Sequence, residues 1–151
     1  MRGWIKPTRR PVIALLIALS LFASACDPKV LRESRKAAHR IQITIDAAVD
    51  TLTVLHSKQL VSDAQTKTIA LALVKVNDAN GILIQHVKAA SSDTPQTRQQ
   101  LLSDLQDIIK SVDALKATGV LGIKSESGSL AFETSVNALL ASIEILKGAL
   151  Q

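Results

Sequence analysis

Apolar residues recur along most of this chain at alternating steps of three and four, the spacing of one helix face. Ile41, Ile45, Ala48, Leu52 and Leu55 form a first stripe, and Ile69, Leu73, Val76, Asn80, Leu83 and Val87 a second. Leu101, Leu105, Ile108, Val112 and Leu115 form a third, and Phe132, Val136, Leu139, Ile143, Leu146 and Leu150 a fourth. The stripes and the punctuation between them predict helices over residues 28–58, 63–90, 95–118 and 130–150. Asp27-Pro28 reads as a cap followed by a first-turn proline. Ser62-Asp63-Ala64-Gln65 fits a capping box, and Thr94-Pro95 is a third start. Gly119 reads as a left-handed stop. No strand alternation competes. The prediction is an all-α, up-down-up-down antiparallel four-helix bundle, with three helices plus one docked outside as the alternative.

Two positions disturb the second stripe. Asn80 is polar, and Gly81 weakens the helix locally. A buried Asn can set the register of packed helices, but we expect this one at the exposed edge of the stripe. Leu71, Val74, Ile82 and Ile84 widen that helix's apolar face, so it is either central or partly covered by another chain.

The N-terminus has a different pattern. Arg2, Lys6, Arg9 and Arg10 precede an uncharged apolar run from Val12 to Phe22, and Ala23-Ser24-Ala25 follow. A basic part, a short apolar part and small residues make a secretory signal peptide. The run falls short of the roughly 20 apolar residues a permanent membrane helix needs. Phe22-Ala23-Ser24-Ala25-Cys26 resembles the lipobox of bacterial lipoproteins, with Ala23 where Leu is usual; the resemblance covers residues 1–26. It implies cleavage between Ala25 and Cys26, a lipid on Cys26, and several acyl chains as a stable anchor. It also implies a place in the bacterial cell envelope, at the inner membrane if Asp27 acts as a retention signal in a Gram-negative cell. Cys26 is the chain's single cysteine, and a lone cysteine in an exported protein is modified, reactive or paired with another chain. Ordinary signal peptidase would cut the same bond at Ala23-Ser24-Ala25 and leave Cys26 bare.

Removing the signal changes the charge picture. The chain has 18 bases and 13 acids, a net +5. Four bases precede residue 11 and every acid follows Cys26, which leaves 14 bases against 13 acids. A net +1 is no nucleic-acid footprint. The local excess is Lys29, Arg32, Arg35, Lys36 and Arg40, which suits anionic headgroups at about 1 kcal/mol per base or forms an ordinary solvated face. No flexible linker follows Cys26, so the bundle would sit close to the bilayer. Phe132 alone of the aromatics lies beyond the signal, which argues against base-stacking platforms and aromatic hot spots.

Chemistry-bearing motifs are missing. There is no phosphate-binding glycine loop, no His-Glu-x-x-His and no Gly-x-Ser-x-Gly, so neither an enzyme nor a cofactor is expected. A hairpin turning near Leu60 would bring His39 and His86 together, but two imidazoles make a poor zinc site, and no metal is expected. The candidate partner site is the connection from Gly119 to Ser129, where Leu121, Ile123, Lys124 and Glu126 would point away from the membrane; the alternative is that Val120, Leu121 and Ile123 plug the bundle end. Thr134 to Ile143 carries no charge but is too short to span a bilayer. The expected function is a membrane-anchored, non-enzymatic adaptor, structural or accessory protein with a protein partner or self-association. The alternative is a module that opens to hold a lipid or other apolar ligand.

Overall fold

A computed structural model describes residues 28–119, 123 and 125–151. The signal-like segment, the Ala25–Cys26 bond, Asp27, Val120, Leu121 and Lys124 lie outside the described residues. Four helices follow in order: α1 Lys29–Ser57, α2 Asp63–Ala89, α3 Pro95–Gly119 and α4 Glu126–Leu150. Each packs on its sequence neighbours, and α1 also packs on α4, which closes a four-membered ring. The α3–α4 seam is the least extensive. The antiparallel four-helix bundle is therefore the fold, and the three-helix alternative falls.

Most punctuation acts as the sequence predicts. Ser62 and Gln65 form the reciprocal capping box, with Gln65 N donating to Ser62 Oγ at 3.3 Å and Ser62 N to Gln65 Oε1 at 3.2 Å. Thr94 Oγ1 accepts from Thr97 N at 3.1 Å ahead of Pro95. Other boundaries differ. Pro28 is itself the N-cap of α1, with no side-chain capping bond. Gly119 is the last residue of α3, not a left-handed residue beyond it. The left-handed position among the described residues is Gln59, at φ 58°. There Leu60 N reaches Leu55 O at 3.0 Å and Gln59 N reaches His56 O at 2.9 Å, the paired bonds of a Schellman stop. α4 starts four residues earlier than expected, because Ser125 Oγ accepts from Gly128 N at 3.1 Å and caps it. Glu126 therefore belongs to a helix rather than to the connection.

The stripes form one core. Their apolar members are buried on all four helices, joined by Leu31, Ala37, Ala38 and Val61. Asn80 corrects the expectation of an exposed edge, being 0 % exposed. α4 enters close to α1, since a Cβ on buried Gly128 would lie 2.8 Å from Leu55 Cδ2 and 3.1 Å from Ile123 Cγ2. By length and composition α4 is also apolar enough to cross a membrane, with mean hydropathy 1.3 over an 18-residue window. Its uncharged run alone is short, but the helix as a whole passes. In the bundle its stripe from Phe132 to Leu150 is buried against the other helices.

Candidate functional site

Two of the three buried polar side chains among the described residues, Asn80 and Asp104, sit on the interfaces of α2. Toward α1, Asn80 Nδ2 donates to Gln42 Oε1 at 3.0 Å and to Ala38 O at 3.4 Å. Gln42 Nε2 donates to Asn77 Oδ1 at 2.9 Å and to Asp46 Oδ1 at 3.1 Å. The orientation of the whole chain of amides follows from its last member. An ionised Asp46 can only accept, so Gln42 must turn its NH₂ toward it. Gln42 Oε1 then faces Asn80, which must turn its own NH₂ inward. Asn80 Oδ1 is left buried with no partner, at a cost of about 1–3 kcal/mol.

Toward α3, His86 Nδ1 lies 2.7 Å from Asp104 Oδ2, and Gln100 Nε2 donates to Asp104 Oδ1 at 3.1 Å. Asp104 is 6 % exposed, so both its oxygens are satisfied by side chains. The expected meeting of the histidines is replaced by this carboxylate: His86 is held by α3, while His39 is exposed on α1 beside Ile84, Val87 and Lys88 of α2. The pair joins two helices. Among the described residues no hydroxyl hydrogen-bonds the imidazole, and no three His, Cys, Asp or Glu gather to hold a metal.

The same end of the bundle carries the basic face. Lys29, Arg32, Arg35, Lys36 and Arg40 are all exposed on the first half of α1. Glu33 is the one acid on that half of the helix. Its hydrogen bond from Lys36, at 3.1 Å, holds its carboxyl below the usual range, aided by the charges of Lys36, Arg32 and Arg40. Between this face and the end of α2 runs a cleft of about 250 Å³. Ala38, Ile84 and Val87 form its floor, Arg35, His39 and Lys88 its rim, and Gln42 closes one end. Four other surface clefts each include a carboxylate: Asp50, Glu133, Asp63 or Asp46.

The predicted partner connection is described only in part. Ile123 is half-buried and packs against the core, as a plug does. Glu126 is exposed in the first turn of α4. Sequence reasoning missed the cleft, because its lining comes from stripe edges on two helices and no motif joins them. The Asp104–His86 pair was missed for the same reason, since its members are 18 residues apart on different helices. No protein-family model matches the chain, and no curated protein matches it either.

Proposed function

We propose that the chain is a lipid-anchored protein of the bacterial cell envelope, cleaved before Cys26, whose bundle works beside the membrane as a non-enzymatic adaptor, structural or accessory element. The observation that carries this reading is the closeness of anchor and fold. The lipobox-like stretch ends at Cys26, and Pro28, two residues on, is already the N-cap of α1. A lipid on Cys26 would then hold the starts of α1 and α3 and the ends of α2 and α4 at the bilayer. The exposed bases of α1 would meet anionic headgroups there. Large apolar side chains left exposed support a protein partner or self-association. On α2 these are Leu71, Val74 and Ile82, and on α4 Leu130 and Ile145.

The interior offers less support for an apolar ligand. Leu73, Leu105 and Leu139, which a central cavity would expose, are 2 %, 1 % and 1 % accessible. Intact mass measurement of the protein from isolated membranes tests the anchored reading. The expected species begins at Cys26 and carries acyl chains; an unmodified Cys26, or a retained residue 1–25 segment, overturns it.

A further inference from the structure

We propose that the outer face of α2 binds a second copy of this chain, the two helices packing antiparallel about a two-fold axis at their midpoint. Opposite its core stripe, α2 carries a second row of residues at steps of four and three, from Ala64 to Ala89, and every one is exposed. A row with that spacing is the seam of a helix pair. In a pair related by a two-fold axis, residue i meets residue j and j meets i. An axis between Val76 and Asn77 gives each member of the row a suitable mate. Leu71 meets Ile82, Lys75 meets Asp78, Thr68 meets Gln85 and Ala64 meets Ala89, each twice. Leu71 and Ile82 are 56 % and 49 % exposed in the single chain, so pairing removes large apolar side chains from water. The charged layer selects both the partner and the direction. Where an acid precedes a base by three residues, the two pair within one helix: Glu33 with Lys36, Asp107 with Lys110 and Glu144 with Lys147, at 3.1, 3.1 and 3.6 Å. Lys75 and Asp78 have the base first, the less favourable order, and among the described residues neither forms an ion pair. A second copy supplies the opposite charge to each. A parallel pair would instead set lysine on lysine and aspartate on aspartate, which repel. The exposed apolar residues of the other helices lack this match. Between Ile43 and Val54 on α1 lie Asp46 and Asp50, and between Leu130 and Ile145 on α4 lie Glu133 and Glu144, with no base in either stretch.

The pairing rests on the self-association reading above and names its partner; it needs no anchor. Under the anchored reading it has a consequence for placement. The two α1 starts stand at opposite ends of the pair, about 40 Å apart, so pairing joins copies on facing bilayers and not neighbours on one. A seam of one helix from each copy belongs with the small interfaces, below about 1,200 Å², and the dimer is weak. Sedimentation equilibrium of the full-length protein in density-matched nonionic detergent measures it, and a concentration-dependent monomer–dimer equilibrium is expected. Lys75→Glu and Asp78→Lys should each weaken dimerisation at least about tenfold, because each puts like charges into both central layers. Mixed in equal amounts, these two variants should pair with each other as tightly as the parent pairs with itself. That recovery also shows that each variant is folded. Lys110→Glu on α3, the same charge change away from the face, should alter dimerisation less than about twofold. Direction is read separately, by oxidising an equal mixture of Thr68→Cys and Gln85→Cys chains and mapping the disulfides. The mixed 68–85 bridge is expected. A monomer at every concentration, unchanged dimerisation in Lys75→Glu, or 68–68 and 85–85 bridges in place of the mixed one would overturn the proposal. The mass of the N-terminus decides the anchor on its own, so neither failure mimics the other.

Discussion

Where α1 ends and α4 begins, the core is apolar throughout: Leu52, Leu55, Val61, Leu115, Phe132 and Val136 are all buried. Where α1 begins and α2 ends, Ser34, Asn80 and Asp104 are buried as well, alongside Leu31, Ile41, Leu83 and Leu101 and the small side chains of Ala37 and Ala38. Every buried polar residue among the described residues falls in that second half. Each is answered differently. Ser34 returns a hydrogen bond to Val30 O at 2.8 Å. Asp104 has both oxygens bonded, and Asn80 has one oxygen unpaired. The first half is built for packing energy. The second spends some of that energy on polar contacts, and small residues there leave room for a cleft. Structures depart from the most stable arrangement chiefly where something else is required of them.

Substitutions should separate the two halves. The largest effect is expected at the packed end, where Phe132→Ala removes the one aromatic side chain of the described core. It should cost about 3–5 kcal/mol in chemical denaturation, and a loss below about 1 kcal/mol would show that this end is not close-packed. At the polar end the sign should reverse. Asn80→Leu removes the unpaired oxygen and leaves Gln42 in reach of water, so stability should rise by about 1 kcal/mol. A fall of that size would mean the amide network contributes more than its orphan oxygen costs.

Two of the glycines inside helices refine the contrast. A Cβ at Gly81 meets nothing within 4 Å, so Gly81→Ala should stabilise by up to about 1 kcal/mol. At Gly128 the Cβ collides with Leu55 and Ile123, so Gly128→Ala should destabilise by about 1 kcal/mol after the helix gain is counted. Equal and favourable effects at both sites would contradict the close entry of α4.

The smallest effect is expected from acid. Arg98 Nε and Nη2 donate to the two carboxylate oxygens of Asp93 at 2.7 Å each, between α2 and α3. These bonds lower the Asp93 pKa and raise that of Arg98. Because the folded pKa of Asp93 lies below the unfolded one, the pair stabilises above the ordinary aspartate range. That gain is lost as pH falls through the folded value. Asp93→Asn should therefore flatten the acid limb of a stability–pH curve slightly; an unchanged limb would show that the pair is energetically silent.

Much of this bundle was legible in the sequence, because a stripe at steps of three and four reports burial directly. The four stripes, the Ser62 box and the Thr94 cap all stand where their residues predict. What escaped was set by contacts between helices or by the absence of a customary residue. Asn80 looked like a stripe edge because a polar residue at a core position states nothing about its partner. That partner, Gln42, lies 38 residues away on α1. The left-handed turn falls on Gln59, which carries no glycine signal. Gly119, which carries one, remains helical. α4 began early because Ser125 capped it from inside a run of serines and glycines that reads as loop. For the anchor, residues 22–28 carry the whole argument: a cleavage pattern, a single cysteine and the first helix cap.

The central claim is that the polar half of the bundle stands on the membrane and the packed half points away. Single cysteines at Ser92 and at Lys58, both exposed, lie at opposite ends of the 27-residue α2, about 40 Å apart. With Cys26 acylated, each variant has one free thiol for a fluorophore. In membranes containing a lipid-borne quencher, the label at residue 92 should be strongly quenched and the label at residue 58 hardly at all. Equal quenching at the two ends, or stronger quenching at residue 58, would contradict it.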